Sequence, residues 1–274
     1  MNRSALTVAV AGLLTHGALA QEAMTTQAAT MPTAGAAILR QSIFLYDLGS
    51  NPLTGDLGRR MFVSDTSLQL GLDAGWSLLI DAQAEHVRTE TPTGIDSDDA
   101  FSSIDITAKY RFYMNNRGGI DTERAALLMG LRIDTEDSVN ADPHIGVVYT
   151  RVAGRHGINA ELTYTYSTGD EHDTLSNALG GEGAADSINY NLAYVYRVLP
   201  AAFTAESTGA WYVTAELLGL YETNGDNEIR YAPGLMFEGR SLALEVQVQL
   251  PLVADLEERP ELKWAVGVGL RWLF

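Results

Sequence analysis

Apolar and polar residues alternate one for one along most of this chain. "SIDITAKYRFYM" sets Ile104, Ile106, Ala108, Tyr110 and Phe112 against Asp105, Thr107, Lys109 and Arg111. "GINAELTYTYS" sets Ile158, Ala160, Leu162, Tyr164 and Tyr166 against Asn159, Glu161, Thr163 and Thr165. "SINYNLAYVYRV", "SLALEVQVQLP" and the ending "ELKWAVGVGLRWLF" do the same. A period of two marks strands whose faces meet different surroundings, because successive side chains leave an extended backbone on opposite sides. Extended to the weaker stretches, the pattern predicts twelve strands near 38–48, 61–74, 76–89, 102–114, 124–134, 144–153, 157–168, 186–198, 210–222, 227–238, 241–251 and 261–274.

Alternation alone fits a soluble sandwich or barrel with its apolar face inward, or a membrane barrel with that face on lipid. Three features favour the second. The alternating runs reach the roughly 9–11 residues a tilted membrane strand needs, where soluble strands centre on about 5–6. Numbered from a periplasmic start, the outer connections 49–60, 90–101, 135–143, 169–185, 223–226 and 252–260 carry a formal charge of −13, and the inner ones carry zero. The aromatics fall at two levels. Trp76, Tyr110, Phe112, Tyr196, Trp211, Phe237, Trp272 and Phe274 form an inner ring, and Tyr164, Tyr166, Tyr190, Tyr221, Tyr231 and Trp264 an outer one. Amphipathic rings at two heights, with aliphatics between, describe interfacial girdles. The expected fold is an all-β, transmembrane, antiparallel up-and-down barrel spanning 38–274.

The rest of the chain refines the compartment. "MNRSALTVAVAGLLTHGALA" has a basic start at Arg3, an apolar run too short to span a bilayer, and small residues at Ala18 and Ala20. It reads as a secretory signal over 1–20, cut before Gln21. Residues 21–37 are small, polar and aperiodic, and are expected to be a flexible tail. No later run approaches spanning length for a helix. The net charge of −17 disfavours nucleic acid, and the absence of cysteine removes disulfides, thiolate metal sites and thiol nucleophiles. The expected partners are outer-membrane lipid and lipopolysaccharide, a small-molecule solute, and the barrel assembly machinery through the terminal Phe274. The barrel is expected to be a monomer without cofactor.

"RYAPGLMFEGRSLALEVQVQLPLVADL" and the final strand resemble the C-terminal hairpins of the outer-membrane barrel family named for the MetA pathway of phenol degradation. The resemblance rests on Pro233, Gly234, Leu235, Phe237, Leu244, Glu245, Gln249, Leu250, Pro251 and the ending Gly267 to Phe274, with the hairpin "TSLQLGLDAGWSLLIDAQ" in the same style. It implies an outer-membrane barrel and a channel or transporter for small, aromatic or hydrophobic compounds.

No catalytic motif emerges. A barrel of this size could be a lipid hydrolase, but none of His86, His144, His156 and His172 stands beside a serine in a triad pattern; His144 in "ADPHIGVVY" is the nearest candidate. The acidic groups Asp96, Asp98 and Asp99; Glu136, Asp137 and Asp142; and Asp170, Glu171 and Asp173 could bridge divalent cations, although none has EF-hand spacing. The polar strand faces predict a lumen lined by Asp81, Glu85, Asp105, Lys109, Arg111, Arg132, Glu161, Arg197, Glu216, Arg230, Glu238, Glu245, Lys263 and Arg271. Such charges either interlock as a plug, leaving a structural or adhesive barrel that works through its acidic loops, or line a water-filled passage. Lys109, Arg111, Glu216, Arg230 and Glu245 are expected to govern passage in the second case.

Overall fold

The computed structural model describes residues 21–51, 55–117, 121–135, 140–168, 185–204 and 207–274. Residues 1–20, expected to be a signal, and Glu136, Asp137, Asp170, Glu171, His172 and Asp173 lie outside them. Among the described residues are twelve strands: β1 Ala37–Leu48, β2 Gly58–Gly71, β3 Trp76–Thr91, β4 Gly94–Arg117, β5 Asp121–Asp134, β6 Asn140–Ala153, β7 His156–Thr165, β8 Ser187–Leu199, β9 Gly209–Glu222, β10 Asn227–Gly239, β11 Leu242–Asp255 and β12 Leu262–Leu273. Each pairs antiparallel with its sequence neighbours, and β1 pairs with β12 to close the barrel. Closure leaves no unpaired sheet edge, the condition for β-structure to stand in lipid. The terminal residue takes part, since Phe274 and Ala37 exchange backbone hydrogen bonds of 2.9 and 3.2 Å. The rim where these two meet is called lower, the opposite rim upper.

The apolar strand faces point outward. Ile106, Met129, Ile145, Leu162, Leu192, Leu217, Leu244 and Val268 are all exposed on the outer wall. Trp76, Tyr110, Phe112, Tyr164, Tyr166, Trp211, Tyr221, Trp264 and Phe274 are exposed too, while Tyr190, Tyr196 and Trp272 are half-buried. Trp76 packs on Tyr110 with ring centroids 4.6 Å apart, and Trp211 on Phe237 at 5.1 Å.

Several hairpins run further than their sequence suggests, among them β10 and β11, paired up to Asn227↔Asp255, and β5 and β6, paired up to Asp134↔Asn140. β3 and β4 stay paired up to Thr91↔Gly94, so 94–101 is strand rather than loop; β4 and β5 likewise pair down to Arg117↔Asp121. Ladder bonds belong to the backbone, so a carboxylate-rich stretch can pair once it stands clear of lipid.

The largest departure from the sequence reading is residues 21–36. Instead of a loose tail, this segment is threaded inside the barrel. From the lower rim, where Gly35 N donates to Gly71 O, it passes Ala29 against Ala126, Leu128 and Val148, rises to Thr26 at mid-height, and returns to Gln21 beside Asn159. Ala23, Thr26, Ala28 and Ala29 are all at most 5% exposed, and residues of that size are what a narrow lumen accepts.

The glycine wall of β12 is filled in the same way. Phe44 lies directly over Gly267, and Met24 of the threaded segment covers Gly269 at 3.2 Å from where a Cβ would stand. Gly267→Val is therefore expected to overpack against Phe44 and lower stability by about 1–3 kcal/mol, read as a lower temperature for loss of heat-modifiable gel migration. Unchanged migration would mean that Phe44 can move aside.

Candidate functional site

The interior is built from the polar strand faces and the threaded segment together. Glu216 of β9 is fully buried and binds the turn of the segment: Thr26 N and Oγ1 each donate to Oε2 at 2.6 Å, and Thr25 N donates to Oε1 at 3.2 Å. Glu161 accepts Gln27 N at 3.0 Å and Asn191 Nδ2 at 3.1 Å. Thr150 accepts Ala29 N at 2.8 Å, and Lys109 donates to Ala28 O at 2.9 Å. Backbone groups with no ladder partner in this segment are thus met by lumen side chains, as buried backbone requires.

Near the lower rim, Arg271 is 1% exposed and faces Glu22 of the segment at 2.7 Å, Glu245 at 3.3 Å and Glu238 at 3.9 Å. Arg40 joins Glu22 at 3.4 Å. Arg197 lies under the Phe203 ring at 4.3 Å. At the upper rim Arg259, which the sequence reading placed in a loop without a role, is fully buried between Glu222 and Glu228, both at 2.9 Å, with Arg230 also on Glu228. Burial opposes the Arg259 charge, but the two glutamates outweigh it and hold its pKa above the ordinary value. Asp226 accepts the backbone N–H groups of Glu257 and Glu258, so 256–261 is fastened to the β9–β10 turn.

Two expected lumen residues sit elsewhere. Lys263 is exposed on the outer wall beside Asp47, because a bulge at Asp47/Leu48 breaks the alternation and turns Leu262 inward. Arg111 reaches the lower rim, where it donates to the carbonyl of Ala74 in the β2–β3 turn. Asp105, Arg132 and Glu161 line an inner cavity, and Lys109, Arg197, Glu216, Arg230, Glu245 and Arg271 are buried on the inner side of the wall. His144 also faces inward: Nε2 is 2.9 Å from Thr107 Oγ1 and Nδ1 is 3.6 Å from Asp105, whose other oxygen accepts the Thr107 hydroxyl at 2.6 Å. With that hydroxyl committed to the carboxylate, the trio is a hydrogen-bonded cluster rather than an activated nucleophile. Asp142 accepts Thr168 N and Oγ1.

Three cavities descend the inner face of β3 and β4. The uppermost, about 840 Å³, is lined by Thr91, Thr89, Val87 and Glu85 of β3, by Asp96 to Phe101 of β4, and by Asp56 and Arg59. Beneath it a cavity of about 200 Å³ holds Asp81, Asp105, Arg132, His144 and Glu161. The lowest, about 20 Å³, lies between the threaded segment and Arg40, Leu79 and Lys109. Gln27 and Leu79 line both lower cavities. The last volume is about that of one water molecule.

A closed twelve-stranded antiparallel barrel, apolar outside and carrying its own N-terminal segment within, defines a barrel of the outer-membrane type. No family model matches the chain, and no curated relative matches it. Among solved structures, it is similar to the COG4313 outer membrane channel from Pseudomonas putida F1, at 12% identity, TM-score 0.60, covering 92% of this chain and 100% of that one. It is also similar to the beta domain of the Bordetella autotransporter BrkA, at 13% identity, TM-score 0.54, covering 88% of this chain and 100% of that one. At these identities the likeness extends to the fold.

Proposed function

We propose that this protein is an outer-membrane channel for small solutes, narrowed by its own N-terminal segment. The carrying observation is the descending series of cavities along β3 and β4, which shrinks from about 840 to about 200 to about 20 Å³ beside that segment. A lumen that tapers to water width, with charged groups along it, sets both a size limit and a field for what passes. The polar lining of the two lower cavities suits hydrophilic solutes. Aromatic or hydrophobic compounds enter as further candidates through the resemblance of the last two hairpins to the phenol-degradation barrel family.

A second reading, a structural barrel stoppered for good, is favoured by the threefold grip of Glu216 on Thr25 and Thr26. Liposome swelling separates the two. Purified protein in vesicles is expected to admit small solutes such as glycine or arabinose and to slow steeply as solute size rises. Vesicles that swell no faster than protein-free ones would favour the stopper.

A further inference from the structure

We propose that the middle cavity is a binding site for a small organic ammonium ion, with Asp81 and Asp105 as its anchors. The inference rests on the channel reading for its place on a solute path, but the site itself stands on the geometry of the cavity.

Asp81 and Asp105 are directly opposite each other across the β3–β4 ladder, both facing inward. Directly opposed residues hold their Cβ atoms about 4.5–5.5 Å apart, where like charges repel. The nearby cations are spent elsewhere. Arg132, opposite Asp105 in β5, turns its Nε to Asp134 at 2.9 Å. Lys109 binds Ala28 O of the threaded segment, and Arg40 binds Glu22 and the carbonyl of Met24. Among the described residues Asp81 enters no ion pair and has Ser67 as a hydrogen-bond partner, while Asp105 has only His144 within ion-pair reach, at 3.6 Å, and also accepts the Thr107 hydroxyl at 2.6 Å. Two carboxylates thus stand together with no lysine or arginine between them, on the wall of a half-open cavity that Arg132 also lines.

The cavity's size and walls decide what kind of cation fits. About 200 Å³ is far larger than a bare ion, and among the described residues no three carboxylate or histidine groups are grouped as a metal would require. Thr163, Thr165 and Asn189 offer further hydrogen-bonding groups, while Leu79 and Leu128 supply an apolar wall. A –NH3+ head between the aspartates, with a short alkyl stem on the leucines, uses each part of that lining. Above it, Asp96 and Asp98 line the wide cavity together with Asp56 and Arg59, so the approach stays net acidic and concentrates cations. Lys109 stands at the lowest cavity, a positive charge at the bottom of an acidic shaft.

The test is calorimetric titration of n-butylammonium chloride into the full mature chain in detergent, with n-butanol and sodium n-butyrate as controls. Saturable heat is expected for the ammonium alone, with affinity at least about tenfold weaker in Asp81→Asn, since an ion pair at partial burial is worth that much. Asp105→Asn is the second variant. Without ligand, Asp81→Asn is expected to melt above the wild type, because the opposed charges are relieved; a carboxylate that serves only the fold would make the variant melt lower. No saturable heat with wild type, affinity equal to the wild type's in both aspartate variants, or equal binding of butanol would overturn the proposal. Planar-bilayer recordings of the same samples keep the two readings apart. Conductance without ammonium binding sinks the site and leaves the channel, and binding without conductance does the reverse.

Discussion

Removing residues 21–36 raises single-channel conductance several-fold while the barrel still assembles: that is the expected result of a bilayer experiment on a mature chain beginning at Ala37. The segment fills the mid-height of the lumen and leaves a gap of about 20 Å³ on the β3–β4 side. A twelve-stranded wall encloses more than side chains alone fill, being intermediate between an eight-stranded barrel and an aqueous sixteen-stranded one. With the segment gone, Glu216, Glu161, Lys109 and Arg271 would face water instead of Thr26, Gln27, Ala28 and Glu22. Water can satisfy those groups, so the outer wall and its ladder should survive. The measurement is conductance in symmetrical KCl beside heat-modifiable migration. A correctly migrating variant whose conductance equals the wild type's would show that the segment does not limit flow.

The second large effect is expected at Arg271. Its guanidinium is the shared counter-charge of Glu22, Glu238 and Glu245, all of them buried. Removing one partner of a buried charge group costs about 3–5 kcal/mol, because the remaining charges stay desolvated and unpaired. Arg271→Met keeps the volume and deletes the charge, so it should lose about that much stability, seen as a marked fall in the unfolding midpoint in urea. A second consequence distinguishes it from general damage: Glu22 is left with only the longer Arg40 contact at 3.4 Å, and Arg271→Met should also conduct more than the wild type at temperatures where it is still folded. A variant as stable as the wild type would mean that the three glutamates take up protons or find other partners.

The wall of this barrel was readable from the sequence because lipid imposes a rule at every second residue. Ile106, Leu162, Leu192 and Val268 face outward where the period of two puts them, and the tryptophans lie near strand ends. The reading fails where that rule lapses. Beyond the membrane, "GIDSDDAF" no longer needs an apolar face, so its pairing with β3 left no pattern to detect. At Lys263 a single bulge shifts the alternation, and a bulge is invisible to a count by twos. The contents of the lumen were the least legible part. Thr26 meets Glu216 and Gln27 meets Glu161 across separations of 190 and 134 residues, and no local pattern encodes such pairs. What the segment does carry is a run of small residues, Ala23, Ala28 and Ala29 among them, which reads equally as a tail or as something that must fit a tight bore. The cavities were unreadable for a related reason. Their walls join residues far apart in sequence, as where Asp81 and Asp105 fall in register on adjacent strands while the chain between them runs out to the rim and back.

The threaded segment also bears on how such a molecule can be made. It leads without a break into β1, the first half of the closing seam, while its contacts reach β6, β7, β9, β11 and β12, the strands synthesised long afterwards. Closing β1 against β12 first would require the segment to enter a finished barrel end-on, past Arg271 and its glutamates. If it is seated first, the later strands arrive around it in order, each meeting a partner already in place. In that sequence of events the segment acts as a mandrel, and the wall is wound upon it before the seam is drawn shut.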